Sequence, residues 1–200
     1  MNAPLPLDPD QARARLADLT VVDVRTPGEY ASGHVPGAFN VPLDRLDLAL
    51  PALREAAGRG GGLLVVCQSG GRSSTACARL AAAGVIAYDL DGGTSGWAAR
   101  GHGLERPAGV RAKPVWAMDR QVRLVAGALV LLGLALGLLV HPAFQLLSAG
   151  IAGGLVFSAL TDTCGMALLL GRLPYNRGRG SAGAGGLDAT LARLRQGAGA

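Results

Sequence analysis

The chain has 200 residues, a formal net charge of +5 and three cysteines, a length that suits one ordinary domain plus a smaller part. Half of its residues are hydrophobic and only 4% are aromatic, so Ala, Leu, Val and Gly must build any core. Residues 1–110 carry a charge of −1 (10 Lys+Arg, 11 Asp+Glu), whereas residues 111–200 carry +6 (9 against 3). The basic residues are mostly Arg without interleaved aromatics, which argues against a nucleic-acid partner.

The cysteines are Cys67, Cys77 and Cys164. Their odd number and wide spacing argue against a disulfide framework, and the absence of Cys-x-x-Cys or Cys/His ligand spacing argues against a zinc site. We therefore expect no metal or cofactor, and free thiols in a reducing compartment. The N-terminus lacks a basic segment followed by an apolar one, so no signal peptide is visible.

Short apolar runs alternate with helical patterns over residues 1–107. Strands are predicted at residues 20–24, 63–66 and 85–90, and helices at 44–57 and 73–83, with Ser73 or Ser74 as the N-cap of the second helix. This alternation predicts an α/β domain with a mainly parallel sheet.

A basic juxtamembrane linker is expected over residues 108–121, followed by two transmembrane helices over 122–172. Residues 124–140 are uncharged, His141-Pro142 interrupts them, and 143–170 form a second apolar run. Runs of this length favour a membrane hairpin over a buried hairpin in a soluble bundle.

Basic residues flank both ends of this hairpin, and the connecting turn has none. The positive-inside rule then places the α/β domain and the C-terminus in the cytoplasm. Each span has one Gly-x-x-x-Gly, at Gly133/Gly137 and Gly150/Gly154, which indicates either a homodimer through the spans or chance in a glycine-rich chain. The Gly/Ala/Arg-rich tail, residues 173–200, is predicted to be disordered, with a short amphipathic turn over Leu187–Leu194 as an alternative for that stretch.

The stretch CQSGGRSS, residues 67–74, carries the strongest chemical signal. Cys67 ends a buried strand, Gly70 and Gly71 let the loop approach a ligand, and a helix begins directly afterwards. Backbone N–H groups and the positive helix end stabilise a thiolate and attract anions, and Arg72 adds a planar cation. The pattern predicts a nucleophilic cysteine that handles a small anion. Cys77, in mid-helix among alanines, is expected to be core packing.

Three motifs in order resemble rhodanese domains. They are DVRTPGEYASGHVPGA from Asp23, the cysteine loop, and Gly92-Gly-Thr-Ser-Gly-Trp97. The resemblance implies a rhodanese-like fold and a sulfurtransferase. Residues 118–123, 164–167 and 173–176 are similar to the two-helix region of YgaP-type inner-membrane rhodaneses, which implies a bacterial inner-membrane protein.

The resemblance assigns roles by residue. Cys67 is the nucleophile, takes sulfane sulfur from a donor such as thiosulfate, and passes it from a persulfide to cyanide or a thiol. The loop is expected to hold the donor, with Arg72 on its sulfonate end; its members are Gln68, Ser69, Gly70, Gly71, Arg72 and Ser73. Asp23 and Arg25 are either a substrate-facing pair or a structural ion pair. His34, Glu29 and Trp97 are interpreted as structural.

Cys164 is either a secondary thiol that receives or senses sulfur, or a small packing residue. Two other functions compete with sulfur transfer. One is a membrane-tethered thiol-based binding or redox-sensing module. The other is a phosphatase of the Cdc25 type. The active-site loop of those phosphatases has the spacing Cys-x5-Arg, whereas the loop of this chain has Cys-x4-Arg, and this shorter spacing disfavours the phosphatase.

Overall fold

A computed structural model describes residues 5–106, 116–161, 170, 173 and 184–197. Contacts divide the chain into two units, residues 1–115 with 177–200 and residues 116–176. The first unit contains β1 Leu5–Leu7, α1 Pro9–Ala14, β2 Thr20–Asp23, α2 Pro27–Ala31, β3 Phe39–Asn40, a 3-10 turn Leu43–Arg45, α3 Leu46–Arg59, β4 Leu63–Val66, α4 Gly71–Ala82, β5 Ala87–Leu90, α5 Gly93–Ala99 and α8 Ala184–Gln196. The second contains α6 Met118–Leu139, a 3-10 turn Pro142–Phe144 and α7 Gln145–Thr161.

The five described strands form one parallel sheet in the order β1-β5-β4-β2-β3. The predicted α/β fold with a mainly parallel sheet is therefore confirmed. β4 lies at the centre and is buried along its whole length, as expected for an uninterrupted Leu-Leu-Val-Val run. Because ligands bind beyond the carboxyl ends of such strands, the end of β4 is the natural place for a site.

Two hydrophobic clusters cover the two faces of the sheet. One packs α3 and α4 against Val65, Cys67 and neighbouring residues. The other packs Val66, Leu90 and the fully buried Trp97. Small aliphatic side chains supply most of both clusters, in agreement with the low aromatic content.

Two short helices precede the cysteine loop and were not predicted. α2 begins with a capping box in which Thr26 and Glu29 satisfy each other's backbone N–H groups, after which Pro27 fixes the first turn. α1 begins in the same way with Asp8 and Gln11. The signal, a Thr or Asp with Pro next and Glu or Gln at the third position, was present in the sequence.

The prediction that the C-terminal tail is disordered is wrong for residues 184–196, which form α8. Leu194 is buried in the cluster beneath α3, and Leu191 packs beside it. Arg193 lies over the Phe39 ring, and Arg59 donates to the Leu194 carbonyl. α8 is stabilised by the packing of its apolar stripe against the rest of the domain, and the amino-acid composition of the tail does not reveal this packing.

The second unit is a helical hairpin whose apolar side chains point outward. The windows Arg120–Leu139 and Pro142–Leu160 are long and apolar enough to cross a membrane, and little of either is buried. Gly133 and Gly137 lie against α7 and its preceding turn, where an added Cβ would collide with Ser148 and Gln145. The first Gly-x-x-x-Gly therefore allows the two helices of one chain to pack closely against each other.

Candidate functional site

Cys67 lies directly after β4 in a cradle of hydrogen-bond donors. Its Sγ accepts from the Gly70 backbone N–H at 3.1 Å. The Ser73 hydroxyl lies 3.3 Å from Sγ and 3.0 Å from the Gly70 carbonyl oxygen, and its one hydrogen is shared between these two acceptors. α4 begins at Gly71, with Gly70 at φ +109° as its N-cap. The predicted N-caps Ser73 and Ser74 are thus wrong, because Gly70 turns the chain three residues before Ser73. The sulfur consequently lies at the positive end of a helix, where a thiolate is stabilised.

The backbone after β5 supports this loop from beneath. Thr94 N–H donates to the Cys67 carbonyl at 2.9 Å, and Ser95 N–H donates to the Gln68 carbonyl at 3.1 Å. Gly93 has φ +58°, and a Cβ there would lie 2.5 Å from the Cys67 carbonyl oxygen. The Gly-Gly signature therefore allows two backbones to approach more closely than any side chain would permit.

Asp23 and Arg25 form a buried ion pair at the end of β2. The Arg25 guanidinium donates to the Asp23 carboxylate at 2.6 Å and to the Gly33 carbonyl at 2.7 Å. It also donates to the Gln68 side chain at 3.1 Å, and Gln68 in turn donates to the Ser95 hydroxyl at 2.7 Å. The pair thus anchors one side of the cysteine loop, an arrangement that fits the structural interpretation.

Arg72 and Glu29 form a second ion pair on the other side of the loop. Two guanidinium nitrogens of Arg72 donate to the two carboxylate oxygens of Glu29 at 2.9 and 2.8 Å. Glu29 is buried, while about a quarter of the Arg72 side chain is exposed. Burial acts to lower the pKa of Arg72, but the hydrogen bonds and charge of Glu29 outweigh it and raise that pKa. The sequence did not predict the Arg72–Glu29 ion pair, although both residues were singled out in it.

The structure brings together every loop residue named from the sequence, with Asp23 and Arg25 beside them. Ser69 and Gly71 are exposed, Gln68, Gly70 and Arg72 are partly exposed, and Ser73 is buried. With Arg25 on Asp23 and Arg72 on Glu29, both cations are charge-compensated. Backbone N–H groups and the α4 terminus therefore supply the uncompensated positive potential around the sulfur. Cys164 lies outside the described residues.

His34 and Cys77 are held inside the fold. The His34 ring stacks on Tyr30 at 3.8 Å between centroids, with its Nδ1 3.1 Å from the Tyr30 carbonyl oxygen. Burial lowers the pKa of His34, which favours a neutral ring. Burial raises the pKa of the Cys77 thiol to about 12, with Asp89 and Cys67 adding to the shift. Both observations fit the structural roles predicted for these residues.

Comparison with known proteins assigns this arrangement to a family. Residues 8–100 match the rhodanese-like domain. A protein of Allochromatium vinosum named sulfurtransferase is 32% identical over 107 residues, covering 52% of this chain and 96% of that protein. The chain belongs to the rhodanese family of sulfurtransferases. A chloroplastic thiosulfate sulfurtransferase 16 of Arabidopsis thaliana is 38% identical over 95 residues, covering 43% of this chain and 79% of that protein.

A second match extends the similarity to the helical hairpin. Residues 115–178 match the transmembrane domain of inner membrane protein YgaP-like proteins. An uncharacterized protein of Synechocystis sp., slr1261, is 40% identical over 158 residues, 78% of this chain and 84% of that protein. The protein is thus a rhodanese domain joined to a YgaP-type membrane domain, and the outward-facing apolar helices agree with a membrane location.

Proposed function

We propose that this rhodanese moves sulfane sulfur from a thiosulfate-like donor, through a persulfide on Cys67, to a thiophilic acceptor. The hydrogen bonds from Gly70 and Ser73 to the Cys67 sulfur carry this proposal. They stabilise a thiolate where a small anion can approach along the α4 axis. The name of the Arabidopsis relative supports thiosulfate as the donor class.

The chemistry needs no cofactor. The Cys67 thiolate attacks the outer sulfur of thiosulfate, the S–S bond breaks, and sulfite leaves with the electron pair. Cyanide then attacks the terminal sulfur of the persulfide and leaves as thiocyanate, or a thiol takes the sulfur as its own persulfide; either step restores Cys67. The loop N–H groups are placed to hold the donor's oxyanion, and Arg72 retains three N–H donors beyond its two bonds to Glu29.

Intact mass tests the proposal. Purified full-length protein in detergent is reduced, incubated with thiosulfate and weighed, alongside Cys67→Ser. Wild type is expected to gain one sulfur and to lose it when cyanide is added, whereas the variant gains none. Cys77→Ser is the matched control and should gain sulfur as wild type does. Absence of a sulfur adduct with thiosulfate or an organic persulfide would favour the binding or redox-sensing module instead.

We also propose that both ends of the hairpin face the cytoplasm. α8 packs on α3 of the rhodanese domain, so the segments before and after the hairpin belong on one side of the bilayer. That requires an even number of crossings, and the Arg-rich flanks select the cytoplasmic side.

Labelling of single cysteines tests this orientation. In a cysteine-free background, Asp188→Cys in α8 and His141→Cys in the turn are exposed to a membrane-impermeant maleimide. The first is expected to react only in inverted vesicles and the second only in right-side-out vesicles. Reaction of both from the same face would contradict a two-span hairpin.

A further inference from the structure

Ser95, in the first turn of α5, contacts the cysteine loop at two points and takes no part in the sulfur-transfer chemistry above. Its backbone N–H donates to the Gln68 carbonyl at 3.1 Å, and its hydroxyl accepts from the Gln68 side-chain amide at 2.7 Å. Gln68 directly follows Cys67. One residue of α5 therefore holds both the main chain and the side chain of the first loop residue after the reactive sulfur.

The Gln68 amide is held from its other end by a buried cation. Arg25 donates to the Gln68 side-chain oxygen at 3.1 Å, and a guanidinium can only donate. The amide oxygen must therefore face Arg25, and the amide nitrogen must face Ser95. Arg25 is only 3% exposed and is itself fixed by Asp23 and by the Gly33 carbonyl. The Gln68 side chain thus spans two rigid parts of the domain, the end of β2 and the start of α5.

The contacts with α5 also set the direction of the loop backbone. The carbonyls of Cys67 and Gln68 both accept hydrogen bonds from the first turn of α5. The peptide bonds of the loop are trans, and a trans peptide points its N–H opposite to its carbonyl. The N–H groups of Gln68 and Ser69 therefore point away from α5. Among the residues that the structure describes, neither of these N–H groups has a hydrogen-bond partner.

The direction away from α5 leads toward the reactive sulfur. Cys67 belongs to the hydrophobic cluster beneath α3 and α4, whereas Trp97 of α5 belongs to the cluster on the opposite face of the sheet. The next residue of the loop, Gly70, already directs its N–H to the Cys67 sulfur at 3.1 Å. Two further N–H donors are thus available on the sulfur side, where the oxygens of an anionic donor would lie.

We propose that Ser95 and Gln68 are positioning residues that keep these two N–H groups directed at the anionic donor. The loop needs such a restraint because Gly70 has φ +109°, and a Cβ at Gly70 or Gly71 would meet nothing within 4 Å. Rotation of the Gln68–Ser69 peptide would present a carbonyl oxygen to the anion in place of an N–H, and that oxygen would repel it. The inference rests on the proposed function, because it names the residues that orient the donor-binding groups.

Protection of Cys67 by sulfate tests this inference without requiring sulfur transfer. Sulfate is a dianion that carries no sulfane sulfur, and iodoacetamide is a neutral reagent that alkylates thiols. Reduced full-length protein in detergent is treated with iodoacetamide at increasing sulfate and constant ionic strength, and alkylation of Cys67 is followed by peptide mass spectrometry. Sulfate is expected to slow the alkylation of Cys67 in wild type.

Two variants remove the contacts between the loop and α5. Ser95→Ala removes the hydroxyl, and Gln68→Met removes both side-chain hydrogen bonds while keeping an unbranched chain of similar length. Each should need at least about fivefold more sulfate for half-protection, and each should load sulfur from subsaturating thiosulfate at least about fivefold more slowly. Without sulfate, their alkylation rates should stay within about twofold of wild type, because the neutral reagent does not use the N–H groups.

Two matched variants separate positioning from a general loosening of α5. Ser95→Thr keeps the hydroxyl and should be protected by sulfate as wild type is. Ala98→Gly replaces an exposed residue of α5, which weakens the helix without removing a side-chain contact to the loop, and it should also match wild type.

The outcomes distinguish this inference from the proposed function. Absence of protection in wild type, equal protection in wild type and in Ser95→Ala and Gln68→Met, or an equal loss of protection in Ala98→Gly would each overturn the positioning role. Protection that depends on Ser95 and Gln68, together with no sulfur gain from thiosulfate, would leave the positioning of an anion standing and reject the proposed sulfur transfer.

Discussion

Cys67 and Cys77 occupy one hydrophobic cluster, are each only 1% exposed, and differ in the groups that surround them. Cys67 follows a strand and accepts hydrogen bonds from a backbone N–H and a hydroxyl. Cys77 lies within α4, and burial is the largest influence on the pKa of its thiol. Burial alone therefore does not distinguish the two thiols; the direction of nearby N–H and O–H groups does.

The largest expected effect comes from breaking the support of the Cys67 loop. Gly93→Ala combines a left-handed backbone with a Cβ that collides with the Cys67 carbonyl. Left-handed strain of about 1 kcal/mol plus overpacking of about 2 kcal/mol predicts a stability loss of about 3 kcal/mol, with loss of persulfide formation. Chemical denaturation and the intact-mass assay measure both quantities.

Gly84→Ala is the matched control for that variant. Gly84 has φ +72° and nothing within 4 Å of an added Cβ, so it should lose only about 1 kcal/mol. Equal losses at the two positions would show that close backbone approach at Gly93 does not support the site.

The next effect concerns the ion pair that anchors Arg72. Glu29→Gln removes the charge from a buried bidentate contact, and we expect a stability loss of about 2 kcal/mol. Removal of a carboxylate beside the loop should also lower the KM for thiosulfate, because it weakens repulsion of the donor. Denaturation and steady-state kinetics measure these effects.

Glu55→Gln provides the control, since Glu55 pairs with Arg59 on the surface and both side chains are substantially exposed. It should lose less than about 0.5 kcal/mol. If Glu29→Gln lost no more stability than Glu55→Gln and left the KM for thiosulfate unchanged, the Arg72–Glu29 pair would not shape the loop.

Direct labelling sharpens the contrast between the two thiols. With a pKa of about 12, Cys77 is a thiolate in only about one molecule in 10⁴ at pH 8. Iodoacetamide should therefore modify Cys67 at least about 100-fold faster, as read by peptide mass spectrometry. Denaturant should make the two rates similar. Faster labelling of Cys77 in the folded protein would reverse the assignment of the reactive thiol.

The smallest effect is expected at Cys77 itself. Cys77→Ala removes one buried sulfur and should lower stability by about 1 kcal/mol through a small cavity. The rate of persulfide formation should stay within about twofold of wild type, because Cys77 is buried within α4 and lies outside the loop that is proposed to hold the donor. A loss of transfer in this variant would draw Cys77 into the chemistry.

Much of the fold was readable from local patterns. Residues 63–66 were predicted as a buried strand and form β4 at those bounds, because four consecutive apolar residues suit a strand covered on both faces. The predicted start of the helix at Ser73 was two residues late, since the glycine that turns the chain precedes it. β3, with two residues, gave no periodic signal that the sequence could show.

The candidate site was less accessible to sequence reasoning in its details. Cys67 and its loop stand out because glycines, a cation and a helix start follow a strand directly. The partners that hold them are distant in sequence, since Glu29 pairs with Arg72 and Ser95 accepts a hydrogen bond from Gln68. Nothing in the local spacing pairs these residues, because their approach depends on strand order and on how α4 crosses the sheet.

The sequence by itself determined the parallel α/β fold and the apolar hairpin and predicted the cysteine loop, since each depends on neighbouring residues and on solvent preference. Tertiary structure alone decided that α8 is ordered, because its stability comes from Leu191 and Leu194 packing on the domain. It also decided that both arginines of the site are charge-compensated, Arg25 by Asp23 and Arg72 by Glu29. Contacts between segments far apart in the chain fix these properties, and composition does not encode them.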